Sequence, residues 1–277
     1  MSANRSSDQP DFNGDGCADL AIGVHQENLD SGGNQGMVHI LYGSSIGVTA
    51  EHSQVWHREG GFNVDGSFLG DIQGEFRAND HFGETLAPGD FNNDGYTDLA
   101  VCIQYSIAST HPNAGAVQII YGSENGIIAA NNQYWTQAGG WVDPEGDGTG
   151  TFLGDIYGGP EDDDCFGGSL IIGNFNGDNY ADLAIGVKNE DIGSITSAGA
   201  VNILYGSADG LTWVGNQLLS QNEVRDENDG SGTYTYFGDL IASAEAYDYF
   251  GHALAAGNFD GDAYDDIAIG VWGEGIG

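Results

Sequence analysis

Asp90–Ile103 reads DFNNDGYTDLAVCI, and the same fourteen-residue design stands three more times in the chain. The other copies are Asp11–Val24 (DFNGDGCADLAIGV), Asn174–Val187 (NFNGDNYADLAIGV) and Asn258–Val271 (NFDGDAYDDIAIGV). They align without a gap and begin at positions 11, 90, 174 and 258, so their period is nearly constant. Self-similarity at such a long, regular period marks a repeat architecture, in which each repeat is one supersecondary unit. In every copy an acidic loop runs directly into a short apolar segment bounded by glycine.

Two further motifs keep fixed offsets from this one. Downstream stand QGMVHILYGSSIG, AGAVQIIYGSENG and AGAVNILYGSADG; upstream of three copies stand HFGETLAPGD, CFGGSLIIGN and FGHALAAGN, with their Phe-Gly pairs at Phe82, Phe166 and Phe250. Each unit therefore reads as four strands. Strand A is the Phe-Gly segment, strand B follows the acidic loop, strand C is the GAVxILYG run, and strand D lies near Trp56, Trp135 and Leu218. Apolar runs of about six residues between glycines are too short for buried helices and suit strands covered on both faces. Four-stranded units in radial array are the blades of a β-propeller. The predicted fold is all-β, a single domain over 1–277, with blades at about 11–60 (lacking strand A), 81–140, 165–222 and 249–277 (strands A and B only). That makes thirteen strands, about three and a half blades, an incomplete propeller with the acidic loops between strands A and B. Connecting inserts occupy 61–80, 141–164 and 223–248.

The Phe-Gly pair, the glycine before the acidic loop, the DLAIGV strand and the GAVxILYG strand together resemble the FG-GAP repeat, which builds the integrin-α propeller and many bacterial secreted proteins. The likeness covers nearly the whole chain apart from the inserts. Propellers of that family usually have seven blades, so the resemblance implies either a fragment of a longer protein or ends that pair with another copy.

The acidic loops carry oxygen side chains at positions 1, 3, 5 and 9: Asp11, Asn13, Asp15 and Asp19; Asp90, Asn92, Asp94 and Asp98; Asn174, Asn176, Asp178 and Asp182; Asn258, Asp260, Asp262 and Asp266. Alternate residues of a tight loop point several oxygens at one centre, which suits Ca²⁺ with its six to eight oxygen ligands. The family resemblance adds the carbonyl at position 7 (Cys17, Tyr96, Tyr180, Tyr264) and a bidentate role for the Asp at position 9. An EF-hand is excluded, because its position 12 needs Glu and here holds Ile22, Val101, Ile185 and Ile269. The competing reading is a set of Asx turns that bind nothing. Up to four ions are expected, more tightly in the first two loops: the third has only two carboxylates, and position 6, expected at positive φ, is Gly16 and Gly95 there but Asn179 and Ala263 later.

The 277 residues include 42 acidic and 5 basic side chains, a formal net charge of −37. Nucleic acid and anionic membranes would be repelled, and no apolar run is long enough to span a bilayer. The N-terminal MSANRSSDQP is polar, so a secreted protein would have lost its signal or be represented by a fragment. Cys17, Cys102 and Cys165 form no framework. The seven histidines show no metal-ligand spacing, and no nucleophile motif is present, which favours a non-enzyme. Strand alternation puts the A-to-B loops on one face and the inserts on the other. The inserts, with an aromatic-Gly-Asp step at Phe68–Asp71, Phe152–Asp155 and Phe237–Asp239, read as covering hairpins or as a site for a protein or glycan. The expected function is an extracellular, secreted or cell-surface recognition or adhesion module. The alternatives are a calcium-dependent lectin, an accessory propeller of a hydrolytic enzyme, and a structural subunit that self-associates through open propeller edges.

Overall fold

Glycine brackets nearly every apolar run of this chain, and strands form between those brackets. The computed structural model describes residues 9–29, 33–74, 77–222, 224–227, 234–238, 240 and 243–275, with 224–227 and 234–238 as backbone. These residues hold nineteen strands in four antiparallel sheets and no helix. The first sheet is β1 (Leu20–Val24), β2 (Met37–Leu41), β3 (Gln54–His57), β4 (Gly60–Asn63) and β5 (Phe68–Gly70), in chain order. The second contains β6 (Phe82–Gly89), β7 (Asp98–Ile103), β8 (Ala116–Tyr121), β9 (Ile128–Thr136), β10 (Gly139–Asp143) and β11 (Thr151–Gly154). The third runs β12 (Ser169–Gly173), β13 (Asp182–Val187), β14 (Ala200–Tyr205), β15 (Thr212–Leu219), β16 (Val224–Glu227) and β17 (Tyr234–Gly238). The last pairs β18 (Phe250–Gly257) with β19 (Asp266–Val271).

Each sheet is one blade, and the row of blades is an incomplete propeller. The expected four strands per blade are the inner ones, β6 to β9 in the second sheet. The inserts add two more, so the full sheets have five or six strands rather than four. Phe62 packs on Phe68 with ring centroids 5.2 Å apart, and Trp141 on Phe152 at the same distance. The aromatic-Gly-Asp step is thus a packing device in the first two inserts; in the third, Asp239 lies outside the described residues.

The hairpins also correct the expected placement of the inserts. Gln54 pairs with Asn63 and His57 with Gly60, so β4 runs back toward the end at which β3 starts. The turn around Asp65 and its counterpart around Asp147 therefore stand at the same end as the acidic loops. A hairpin reverses the chain twice, and only the segments after β5 and β11 reach the opposite face.

Central strands β7, β8 and β13 are buried on both faces. Three apolar clusters fill the spaces between successive blades, around Trp56 and Phe82, around Trp135 and Phe166, and around Val201 and Phe250. Outer strands are less covered: Leu20 and Ile22 of β1 are 43% and 40% exposed, and Trp272 beyond β19 is 74% exposed. All three cysteines are free thiols.

Blades meet through backbone. The Phe-Gly pair that opens each strand A lies on the glycine that precedes strand C of the blade before it. Phe82, Phe166 and Phe250 donate their N–H groups to Gln35, Ala114 and Ala198 (2.9, 2.8 and 2.9 Å). A Cβ on Gly36, Gly115 or Gly199 would collide with the backbone of that phenylalanine, and each of these glycines has φ between 81° and 87°. Substitution there meets both left-handed strain and a clash with main chain that has no room to yield. Gly115→Ala is expected to cost about 3 kcal/mol or more in urea denaturation. The control Gly193→Ala, at φ +68° with open space around it, should cost only about 1–2 kcal/mol. Equal losses would show that close approach of the blades is not what requires the glycine.

Candidate metal sites

The four acidic loops occupy the A-to-B connections, before β1 and between β6 and β7, β12 and β13, β18 and β19. In each, the Asp at position 9 begins or precedes strand B and reaches back across the loop. Asp98 Oδ2 accepts from Phe91 N–H (2.8 Å), and its Oδ1 accepts from Gly122 N–H just after strand C (3.0 Å). Asp19 binds Phe12 and Gly43 in the same way (2.7 and 2.8 Å), and Asp182 binds Phe175 and Gly206 (2.8 and 2.9 Å). Asp266 accepts from Phe259 at 2.7 Å. The position-9 carboxylate is therefore a clasp joining loop, strand B and the end of strand C, a role the spacing did not reveal. Each oxygen keeps lone-pair capacity beyond its one bond.

Positions 1, 3 and 5 turn their oxygens onto the loop's own amides. In the second loop Asp90 accepts from Asp94 and Gly95 (3.1 and 3.0 Å), Asn92 from Asp94 (3.1 Å), and Asp94 from Tyr96 (2.9 Å). The first loop repeats this with Asp11, Asn13 and Asp15. The third and fourth differ at position 1. Asn174 and Asn258 donate Nδ2 to the carbonyls of Asp178 and Asp262 (2.6 Å each) and accept from Gly177 and Gly261. A donor thus stands where a cation needs an acceptor. Backbone geometry splits the loops the same way. Gly16 and Gly95 have positive φ at position 6, whereas Asn179 and Ala263 do not, contrary to the expectation of one conformation throughout. Position 4 is left-handed in all four, at Gly14, Asn93, Gly177 and Gly261.

The loops are also bonded to one another. The N–H at position 8 of one loop donates to the position-1 carbonyl of the loop before it: Thr97 to Asp11 (3.0 Å), Ala181 to Asp90 (3.0 Å) and Asp265 to Asn174 (2.9 Å). Tyr96 covers Gly14 and Tyr264 covers Gly177, so close that a Cβ on either glycine would overlap the ring.

Asp11, Asn13, Asp15 and Asp19 with the Cys17 carbonyl, and their counterparts at 90–98, form an all-oxygen donor set of the kind calcium takes. In this arrangement the loop carboxylates are not gathered as tightly as two other groups on the molecule. His25, His81 and Glu84 bring one ligand atom each within 4.8 Å of one another, as do Glu161, Asp164 and Glu190. The histidine spacing gave no hint of the first group, because His25 and His81 come from adjacent blades and meet only when these pack. His81 Nδ1 lies 3.2 Å from Glu84 Oε2. The second group gathers at the next seam between blades.

Burial raises the carboxyl groups of both kinds of site. Asp19 and Asp182 are pushed up to about 6, chiefly by burial and against the pull of their backbone hydrogen bonds, and burial likewise raises Asp98 well above its ordinary value. Burial also pushes Asp164 up to about 7 and Glu190 up to about 8.

The FG-GAP repeat family model matches residues 4–41, 82–120 and 166–204. Rat phosphatidylinositol-glycan-specific phospholipase D is 28% identical over 190 residues, 68% of this chain and 18% of that protein. Its Dictyostelium discoideum counterpart is 26% identical over 234 residues (84% and 22%), and mouse integrin alpha-7 is 28% identical over 201 residues (72% and 13%). The chain spans less than a quarter of the length of these relatives. It carries FG-GAP repeats of the integrin-α type, and the Phe-Gly seams described above are where that motif does its structural work.

The raised carboxyls set a pH dependence for the metal-free protein. An unfolded Asp releases its proton near pH 4, whereas the folded clasp and seam carboxyls hold theirs to about 6–8. The folded state binds more protons across that window, so the stability they contribute is present at acid pH and lost as pH rises. In chelator-containing buffer the melting temperature should fall between pH 4.5 and pH 8, roughly, by differential scanning fluorimetry. A rise would contradict the assignment.

Proposed function

We propose that this chain is part of a calcium-stabilised, non-enzymatic recognition or adhesion propeller that works outside the cell. The observation that carries the reading is the row of acidic loops hydrogen-bonded in series, position 8 to position 1, across every seam. Asp11, Asn13, Asp15, Asp19 and the Cys17 carbonyl would hold one ion, and Asp90, Asn92, Asp94, Asp98 and the Tyr96 carbonyl a second. The weaker loops at 174–182 and 258–266 would hold up to two more. Bound Ca²⁺ supplies the positive charge that three neighbouring carboxylates lack. The chain's own residues do the rest: the position-9 Asp ties the loop to strands B and C, and the Thr97 and Ala181 amides tie it to the blade before. An ion that binds only the folded loop stabilises the seam by mass action.

Extracellular calcium suits such sites, whose dissociation constants are expected at about 10⁻⁴–10⁻³ M. Partners would be proteins or glycans taken on the face opposite the acidic loops. Calorimetric titration should resolve a tighter pair of sites and a weaker pair. Asp15→Ala with Asp94→Ala should abolish the tighter component and lower the calcium-dependent rise in melting temperature. Absence of binding heat, or four sites filling equally, would sink the reading.

A second reading is favoured by the relatives named as phosphatidylinositol-glycan-specific phospholipase D: the propeller would be an accessory part of a hydrolytic enzyme. On either reading the purified chain alone should not cleave a glycosylphosphatidylinositol substrate, as followed by release of the lipid-linked product. Turnover that persists through purification would overturn the non-enzymatic assignment.

A further inference from the structure

The seams between blades, at the end opposite the acidic loops, present the same four positions three times with opposite charge. At the first seam they are Arg58, Arg77, Asp80 and Ser106. At the second, one repeat further on, they are Gln137, Glu161, Asp164 and Glu190; at the third, Gln221, Glu245, Asp248 and Glu274. Backbone geometry shows that these are true counterparts. Arg77, Glu161 and Glu245 each donate their N–H to Oδ2 of the aspartate three positions later, at 3.0, 2.5 and 2.5 Å. The Gln137 carboxamide donates to Glu190 at 2.5 Å, and Gln221 donates to Glu274 at 2.7 Å.

At the first seam a positive charge is built in. The Arg58 guanidinium is 2% exposed, lies 3.7 Å from Asp80, and is held by the Gln73 carbonyl (2.9 Å) and the face of Tyr134. At the second seam the arginine is replaced by neutral Gln137, Arg77 by Glu161 and Ser106 by Glu190. Asp164 and Glu190 are 1% and 5% exposed, and with Glu161 they bring three carboxylate oxygens within 4.8 Å of one another. Beside this cluster stands His111, whose Nδ1 is engaged by Asp162 at 3.0 Å. Gln137 supplies the second, independent sign. It is 2% exposed; its nitrogen, not its oxygen, faces Glu190, and its Oε1 is buried with no hydrogen-bond partner. A buried amide oxygen without a donor is costly unless something electropositive meets it.

We propose that the second seam is a divalent-cation site, formed by Glu161, Asp164 and Glu190 with the Gln137 carboxamide turned over to present its oxygen in place of its N–H, in which a calcium ion takes the place that the Arg58 guanidinium holds at the first seam. The donors are all oxygen, the class that hard cations select. Two deeply buried carboxylates with oxygens within 4.8 Å of one another are unfavourable as a pair of anions, and a shared cation offsets the repulsion and gives the orphaned oxygen a partner. The third seam repeats the Gln-to-Glu bond and the aspartate clasp, but its Glu245, Asp248 and Glu274 are not gathered in the same way.

The site is separate from the acidic loops, so the two can fail independently. Crystals of the full chain grown in calcium, with terbium soaked in as an anomalous scatterer, read every site on its own. The expected result is a peak between Glu161, Asp164 and Glu190 in the unaltered chain and none in Glu190→Gln. By calorimetry, Glu190→Gln should lower the calcium stoichiometry by one while the loop sites keep their affinities. The double variant Gln137→Arg with Glu190→Ser writes the first seam into the second; it should fold without the ion and lose this site's contribution to calcium-dependent stabilisation. That variant decides the matter if Glu190→Gln does not fold. Filled loops beside an empty seam in the unaltered chain would overturn the seam site alone. An occupied seam with empty loops would instead overturn the loop assignment. Unchanged stoichiometry in both variants would show that the cluster holds shared protons rather than an ion.

Discussion

Everything in this architecture depends on main chain touching main chain at three glycines. Gly36, Gly115 and Gly199 let the Phe-Gly pair of the next blade approach so closely that a single methyl group would occupy the same space as its backbone. The same contact recurs at every seam, with the N–H groups of Phe82, Phe166 and Phe250 bonded to the carbonyls of Gln35, Ala114 and Ala198. The phenylalanine side chains are then driven into the apolar space between blades, where each is buried. The core is therefore a set of clusters, each shared by two neighbouring sheets, rather than one interior. Blades packed in this way stabilise one another mostly pairwise, as stacked repeats do.

With the seams fixed by backbone, the two ends of the sheets are left to manage charge. At one end the acidic loops are linked in series, and the insert turns at Asp65 and Asp147 add further carboxylates to the same side. Their oxygens are turned onto backbone amides, which hold the loops in shape but neutralise no charge. At the other end the seam carboxylates face the same difficulty with less water around them. A chain with 42 acidic and 5 basic residues has few lysines and arginines to spare for such places. Spending Arg58 inside the first seam is conspicuous for that reason.

Much of this was legible in the sequence, and the failures have physical causes. The period, the strand order A to D and the loop positions follow from glycine-bounded apolar runs, because such runs have one easy conformation. The extra hairpins were left open, since β4, β5, β10 and β11 are three to five residues long and their aromatic-Gly-Asp step fits a turn as well as a strand. The insert turns lie at the acidic-loop end rather than the opposite one because each insert folds back as a hairpin instead of running straight from strand D to strand A. The clasp role of Asp19, Asp98 and Asp182 was hidden because its second partner, the glycine after strand C, lies 24 residues further on. Position 6 misled for a different reason. Asn179 and Ala263 do not tolerate a shared conformation at a cost; the loop changes shape around them, and Asn174 and Asn258 bond differently as a result.

The seam groups show what a single repeat cannot. No spacing within one blade brings His81 to His25, or Gln137 to Glu190, because each partner comes from a different repeat and the two meet only through the Phe-Gly contact. The informative comparison is down a column of equivalent positions. Arg58, Gln137 and Gln221 share one place, and Ser106, Glu190 and Glu274 share another. Loss of the cation and gain of the carboxylate happen together at the second and third seams. Two independent drifts toward acidity would scatter such changes over exposed positions, where they cost little. Their coincidence at facing positions, buried at Gln137, Gln221 and Glu190, ties the charge of each seam to both of the blades that form it.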